Sequence, residues 1–248
     1  EGGMLGRLDR EILRRPVRAF VTGDWHHYRR HENAAGVQKI VSGGGGAFLH
    51  PTHAPRARDL RGGFVERAIY PDRATSRRLA WRNLLFPWLN PRALVLPAML
   101  YALSAWFASA SLGPADLGSF SATAAASLAA ALRDPVNGLW LLAVVAGFIF
   151  FTDTHRRWYR VVGGVSHALT HLLAALVLAW LAACFTTQWL GLAFGGIAQL
   201  LISGALVFVC GGIVGGELLG LYLLVSVQVF ARHSNEAFSS LRIEDYKQ

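Results

Sequence analysis

The residues from Leu190 to Phe230 most constrain the fold, because this whole stretch carries a single charged side chain, Glu217. A helix of about 20 apolar residues is long enough to cross a bilayer. The stretch therefore predicts either two membrane spans that meet near the sequence GGIVGG or one long broken helix.

Three further apolar runs precede this stretch, at residues 93–112, Gly138–Thr152 and Val161–Phe185. A linker, residues 113–137, separates the first two, and the basic sequence TDTHRRWYR separates the second from the third. Together the runs predict four or five membrane helices, and the length of the last stretch favours five.

The positive charge lies in the first part of the chain. Residues 1–92 hold 17 Lys and Arg against 8 Asp and Glu, whereas the remainder holds seven of each sign. A basic segment can bind nucleic acid, anionic lipid or phosphate-bearing substrates, but the chain has no nucleic-acid-binding motif. Arginines directly before apolar spans are typical of the cytoplasmic side of a bacterial inner membrane. We therefore expect residues 1–92 to be cytoplasmic, with 73–92 as an interfacial segment, and no nucleic-acid partner.

Two short strands are predicted within this basic part. Residues 17–23, VRAFVTG, are β-branched and aromatic, and they lead into a GDWHH loop. Residues 36–48, GVQKIVSGGGGAF, predict a second strand that runs into four glycines. The glycines indicate either a tight turn at a strand exit or a backbone that approaches a phosphate closely.

Histidines cluster around these strand ends, next to Asp24. The cluster consists of His26, His27, His31, His50 and His53. Imidazole and carboxylate groups at the rigid end of a strand suit a divalent metal ion. The alternative is a solvated surface rich in histidine and arginine.

The sequence GDWHHYRRHE, followed by GVQKIVSGGGGAFLHPTH, resembles the distal end of a calcineurin-like metallophosphoesterase domain, in its membrane-attached branch. The stretches SRRLAWRNLLFPW and HSNEAFSSLRIEDYK are similar to the same branch. In that superfamily the last metal motif is G-H-x-H at the end of a strand, and residues 23–26 fall on its four positions. Asp24 stands where most relatives have histidine.

The resemblance implies hydrolysis of a phosphomonoester or phosphodiester by two metal ions, Mn, Fe or Zn. It implies that His26 and Asp24 are metal ligands and that His27 is catalytic. His31, His50 and His53 would be second-shell or phosphate-facing groups. A carboxylate in place of an imidazole shifts the metal preference toward Mn or Mg.

The upstream D-x-H, G-D and G-N-H-D/E motifs of that superfamily do not occur in this chain. We therefore expect a C-terminal portion of a longer enzyme, inactive without the missing motifs. The expected fold is a partial α/β domain at residues 1–72, followed by an α-helical transmembrane domain at 93–232 and the start of a further segment at 233–248.

The apolar runs also contain polar side chains. His167 and His171 lie one helical turn apart and share a face, which suits interhelical hydrogen bonds better than a heme or metal site. Glu217 is an ionisable group at membrane depth, among Gly212, Gly216 and Gly220, which predict close helix packing. It could pair across that contact, lie near an interface or serve transport.

Two functional hypotheses follow from the sequence. The first is a membrane phosphoesterase whose partners are membrane lipids, a phosphate-ester substrate and the remainder of the polypeptide or partner subunits. The second is a non-catalytic membrane subunit that binds partner helices, a heme or a pigment.

Overall fold

A computed structural model describes residues 17–23, 26–43, 51–53, 63–110, 112–152 and 157–237, the last nine without their side chains. The chain divides into two compact units, residues 1–83 with 223–248, and residues 84–222.

The first unit contains a mixed four-stranded sheet. Its strands are β1 (Ala19–Thr22), β2 (Tyr28–Glu32), β3 (Gln38–Ser42) and β4 (Val65–Tyr70), and their order across the sheet is β1-β3-β2-β4. β1 is parallel to β3, and β2 is antiparallel to both β3 and β4. The two predicted strands are confirmed as β1 and β3, whereas β2 and β4 were not predicted.

Helix α1 (Arg73–Trp81) follows β4 directly. Its N-cap is Asp72, whose carboxylate accepts hydrogen bonds from the backbone of Ala74 and Thr75 and from the Thr75 hydroxyl. These bonds lower the pKa of Asp72, with those from Thr75 contributing most. The cap fixes where the chain turns from the sheet into the helix.

The second unit is helical. Its helices are α2 (Phe86–Leu89), α3 (Val95–Ser109), α4 (Phe120–Arg133), α5 (Pro135–Phe151), α6 (Arg157–Cys184) and the greater part of α7 (Ile197–Ala237). Short 3₁₀ segments precede α2, α3 and α4, and a π-helical turn, Phe185–Trp189, extends α6.

Three helical segments are long and apolar enough to cross a membrane: Pro91–Ser109, Arg157–Trp189 and Ile197–Gln228. A fourth exists if α4 and α5, which are bent by 101° relative to each other, form one span. The described residues thus offer three to four spans, and not the five that length had favoured.

Asp134 and Pro135 cause the bend between α4 and α5. The Asp134 carboxylate accepts a hydrogen bond from the Val136 backbone and so starts a new helix. Pro135 occupies its first turn, where a proline needs no hydrogen-bonded N–H.

The expectation of a break near GGIVGG is wrong, because α7 runs through that sequence without interruption. The glycines are instead places where α7 approaches α3 and the residues before it. A Cβ added to Gly211 would stand 2.5 Å from the Cβ of Tyr101, and one added to Gly215 would stand 2.6 Å from the Cβ of Pro97. Glycine is therefore required for close helix contact and not for a change of direction.

The core of the helical unit consists of small residues around one aromatic ring. Tyr101 is fully buried, and with it are buried Ala105, Ala175, Ala179, Ala182 and Val207. Gly164 of α6 serves a similar contact, since a Cβ there would stand 2.5 Å from the Cα of Ile149 in α5. Small side chains let three helices come close enough to enclose Tyr101.

Candidate functional site

The strand registers bring several predicted site residues to one end of the sheet, which we call the rim. β1 and β3 both finish there, because Thr22 pairs with Val41. β2 begins there and β4 finishes there, because Tyr28 pairs with Ser42 on one side and with Tyr70 on the other. The rim therefore collects the residues that follow β1, β3 and β4 and those that precede β2.

Gly23, His26, His27 and Gly43 lie at the rim, and the backbone N–H of Gly43 donates to the carbonyl of His27 at 3.1 Å. His27 is buried and His26 is half-buried. Asp24, His50 and Gly44 to Gly46 lie outside the described residues. His27 and the first glycine of the run are thus adjacent, as expected for two neighbouring strand ends.

His53 is tied to the rim through Thr52 and Ser76. The Thr52 hydroxyl donates to the carbonyl of Pro71, which follows β4, at 2.7 Å. Ser76 Oγ accepts the Thr52 N–H at 3.0 Å and lies 2.8 Å from His53 Nδ1. The pKa of His53 is lowered overall, mainly by burial. A hydrogen bond with Gln228 raises it in part, and the charge of Arg77 lowers it further.

His31 lies away from the rim, although the sequence placed it in the same cluster. It is four positions beyond His27 along β2, or about 13 Å at the rise of a strand. Its neighbours on the adjacent strands are Lys39 and Glu66. Burial, followed by the charges of Arg29 and Lys39, lowers the pKa of His31 to about 4. His31 is therefore a neutral group within the sheet at neutral pH.

A basic group on the same face of the sheet was not predicted from the sequence. Arg29 and Lys39 are both buried. Glu66 Oε2 lies 3.7 Å from Arg29 Nε, and Glu66 Oε1 lies 3.4 Å from an amino nitrogen of Arg73. Lys39 Nζ stands 4.4 Å from the centre of the Phe64 ring. The available signal was the sequence YRRHE, whose alternate residues point to one face of a strand.

The pKa of Arg29 is lowered overall, mainly by burial. The Glu66 carboxylate raises it in part, and the charge of Arg73 lowers it further. Glu66 accordingly offsets two cations at once. This ion-pair group runs along one face of the sheet, from Arg29, next to the rim residue Tyr28, to Glu66, which pairs with His31.

The described residues do not complete a metal site. Among them, no three His, Cys, Asp or Glu side chains lie together in a way that could hold a metal ion. The rim histidines alone are thus an insufficient set of ligands for a two-metal centre, which requires several ligands for each ion.

In the helical unit, His167 and His171 form a hydrogen-bonded pair. Their Nε2 atoms are 3.0 Å apart, and the hydroxyl of Tyr101 in α3 lies 3.2 Å from His171 Nδ1. The Tyr222 ring stacks on His167 with ring centres 4.0 Å apart, and its hydroxyl donates to Thr152 Oγ1 at 3.2 Å. The pair thus connects α6 to α3 and to α7.

This geometry favours interhelical hydrogen bonding over heme binding. Both nitrogens of His171 and the Nε2 of His167 face other polar groups at hydrogen-bonding distance. A heme ligand must present a ring nitrogen to the iron, and in this pair only Nδ1 of His167, which is buried, lacks a hydrogen-bond partner among the described residues.

Glu217 is half-buried in α7. Within the described part of the chain it forms no hydrogen bond or ion pair. The expected pairing across the helix contact is thus not found among the described residues.

Comparison of the chain with protein-family models, with curated proteins and with solved structures gives no match.

Proposed function

We propose that this chain is the C-terminal portion of an integral-membrane, metal-dependent phosphoesterase. Residues 1–72 belong to the catalytic domain and 73–92 form an interfacial segment, both on the cytoplasmic side of a bacterial inner membrane, and the helical unit anchors that domain. The observation that carries the proposal is the strand register, which gathers Gly23, His26, His27 and Gly43 at one end of a sheet.

The rim suits such a role for a physical reason. A strand held by neighbours on both sides has little freedom at its last residue, so that the first side chains beyond it keep a defined position. β3 and β2 are the two inner strands of this sheet. Gly43 and His27, which adjoin them, are therefore held by a backbone hydrogen bond and by the ladder together.

The rim supplies only part of a catalytic site. In phosphoesterases of the proposed class, two metal ions lower the pKa of a bridging water and neutralise charge on the phosphate. The described residues lack a set of three metal-binding side chains, so most ligands must come from other parts of the full-length polypeptide. His26 and Asp24 are the ligands that this chain contributes, His27 is the catalytic group, and His53 is a candidate phosphate-facing group.

The helices support the membrane part of the proposal. Three segments, or four with the bent pair, are long and apolar enough to cross a bilayer. Of the 17 Lys and Arg of residues 1–92, all but Arg92 precede the first of these segments, in agreement with the positive-inside rule.

The test is the hydrolysis of a generic phosphodiester, bis-p-nitrophenyl phosphate, by the full-length polypeptide of the parent gene in the presence of Mn²⁺. We expect His26→Ala and Asp24→Ala each to lower kcat at least a hundredfold and to reduce the bound manganese. His31→Gln is the matched control, because it changes a histidine of the same sheet away from the rim. Activity that survives both rim substitutions, in protein that retains its fold, would refute the site assignment.

A further inference from the structure

A cavity of about 840 Å³ lies within the helical unit, where α3, α5, α6 and α7 meet. Leu96 contributes from α3, Trp140 and Phe151 from α5, Arg160 and His171 from α6, and Leu219 from α7. Its volume is within the range of small-molecule sites, about 300–1,000 Å³. Apart from Arg160 and His171, its walls are apolar, so that water is a poor occupant.

The length of the cavity matches one leaflet of a bilayer. Arg160 and His171, both on its wall, are eleven positions apart on α6, which corresponds to about 16 Å. Trp140 and Phe151 span the same number of positions on α5. Half of a hydrocarbon core of about 30 Å is about 15 Å, so this length equals the thickness of the apolar part of one leaflet.

The Arg160 end of the cavity has the composition of a membrane surface. Arg160 lies in the first turn of α6, beside Trp158 and Tyr159, which are 72% and 54% exposed. Tryptophan, tyrosine and arginine are typical at the level of lipid headgroups. The carbonyl of Thr152 accepts a hydrogen bond from Arg160 Nε at 3.0 Å. This bond holds the guanidinium beside the end of α5.

We propose that this cavity binds one molecule of an anionic phospholipid, whose phosphate lies at Arg160 and whose acyl chain extends toward His171. A guanidinium matches the geometry of a phosphate, and the apolar walls match a chain of one leaflet length. Basic pockets between membrane helices bind lipid headgroups in the same way. The proposal rests on the membrane placement proposed above and does not depend on phosphoester hydrolysis.

Two pairs of variants distinguish the binding of the lipid's acyl chain from the binding of its headgroup. Gly147→Leu places a side chain into the cavity, at a position where a Cβ meets nothing within 4 Å. Gly204→Leu is its control, because Gly204 is also open and is not on the cavity wall. Arg160→Gln removes the cation at the cavity, and Arg157→Gln removes an exposed one from the same helical turn.

The experiment is native mass spectrometry of the purified chain, titrated in detergent with phosphatidylglycerol or with a diacylglycerol of the same acyl chains. We expect one tightly bound phosphatidylglycerol. Gly147→Leu should weaken its binding at least tenfold, and Gly204→Leu should leave it unchanged. Arg160→Gln should weaken the binding of phosphatidylglycerol about fivefold, which is the effect of one basic residue at a lipid surface. Arg157→Gln should have a smaller effect on it. Neither arginine variant should change the binding of the diacylglycerol.

The proposal is overturned if Gly147→Leu retains the lipid, if the two arginine variants behave alike, or if inorganic phosphate at millimolar concentration displaces phosphatidylglycerol. Circular dichroism verifies that each variant folds, and Leu96→Trp, on the part of the cavity wall formed by α3, replaces Gly147→Leu if the latter does not fold. Membrane fractionation of the same variants and the phosphodiester assay are separate measurements. A failure of lipid binding is thereby distinguished from a failure of membrane placement or of catalysis.

Discussion

The hydroxyl of Tyr101 lies 3.2 Å from Nδ1 of His171, although the two residues are 70 positions apart in the chain. Tyr101 is fully buried, and its ring also packs against the backbone of Gly211 in α7. One side chain therefore connects α3 to α6 by a hydrogen bond and to α7 by close contact. This makes Tyr101 the central residue of the helical unit.

The hydrogen bond itself can be measured by a double-mutant cycle of Tyr101→Phe and His171→Leu. Each substitution should lower the free energy of unfolding, because Tyr101→Phe leaves His171 Nδ1 without its partner, and His171→Leu leaves both the Tyr101 hydroxyl and His167 Nε2 without theirs. We expect a coupling energy of about 0.6 kcal/mol, a common value between membrane helices. Thermal unfolding in detergent provides the free energies.

The control combines Tyr101→Phe with Trp180→Phe. Trp180 Nε1 donates to the carbonyl of Leu117, and Trp180 lies nine positions from His171 on α6, so these effects should add. Equal coupling in both cycles would contradict a specific Tyr101–His171 bond.

The glycines of α7 should respond to substitution with opposite signs. In Gly211→Ala the new Cβ would stand 2.5 Å from the Cβ of Tyr101, and we expect a loss of about 1–3 kcal/mol from overpacking. In Gly204→Ala the new Cβ meets nothing within 4 Å, so the higher helix propensity of alanine should add about 0.5–1 kcal/mol. Unfolding in detergent measures both, and a loss of similar size in the two variants would argue against close α3–α7 packing.

The sequence predicted the elements whose side-chain pattern follows from local physics. β1 and β3 are β-branched and bounded by glycine, and the apolar runs are helices. β2 could not be found in this way, because its buried face carries Arg29 and His31 in place of apolar residues. A strand whose buried residues are charged or polar does not show the alternation of apolar and polar residues by which strands are recognised.

The glycines of α7 show the other limit of prediction. A small-residue contact was predicted at Gly212, Gly216 and Gly220, and the structure places the closest approaches at Gly211, Gly215 and Gly216. Which face of a helix is used depends on the partner, here Tyr101, Pro97 and Leu94. Prediction of the candidate site meets a similar limit, because contacts between distant segments decide which histidines lie near the rim. Thr52 links His53 to the residue after β4, whereas the register of β2 places His31 away from the rim.

The sheet should lose stability in mild acid because of His31. The pKa of His31 is about 4 in the folded chain and about 6.5 in an unfolded one, so the unfolded chain binds more protons between these values. The free energy of unfolding is therefore highest above pH 6.5 and falls as the pH drops toward 4. Hydrogen exchange of the amides of β2 and β3 measures this loss locally, after correction for the intrinsic exchange rate.

The variant His31→Gln tests the assignment, because glutamine does not titrate. Its β2 and β3 amides should show a weaker dependence of stability on pH over the same interval. An unchanged dependence would assign the acid sensitivity to another group.

A buried polar group at the junction of α6 and α7 provides the last prediction. Thr186 is fully buried, and its Oγ1 lies 2.9 Å from Ser203 Oγ and 3.3 Å from Gln199 Nε2. In Thr186→Val these two partners lose a hydrogen-bonding group, and we expect a loss of about 1–3 kcal/mol. The neighbouring Thr187 contacts only the carbonyls of its own helix, Ala183 and Cys184, among the described residues.

Thr187→Val is thus a matched control, since it removes the same hydroxyl one position away and leaves no partner on α7 unsatisfied. Its effect on the unfolding free energy should be less than half of that of Thr186→Val. The difference arises because a Thr hydroxyl bonded to its own helix does little for helix stability, whereas Thr186 joins two helices. Equal losses in the two variants, measured by thermal unfolding in one detergent, would show that the polar group does not hold the α6–α7 junction together.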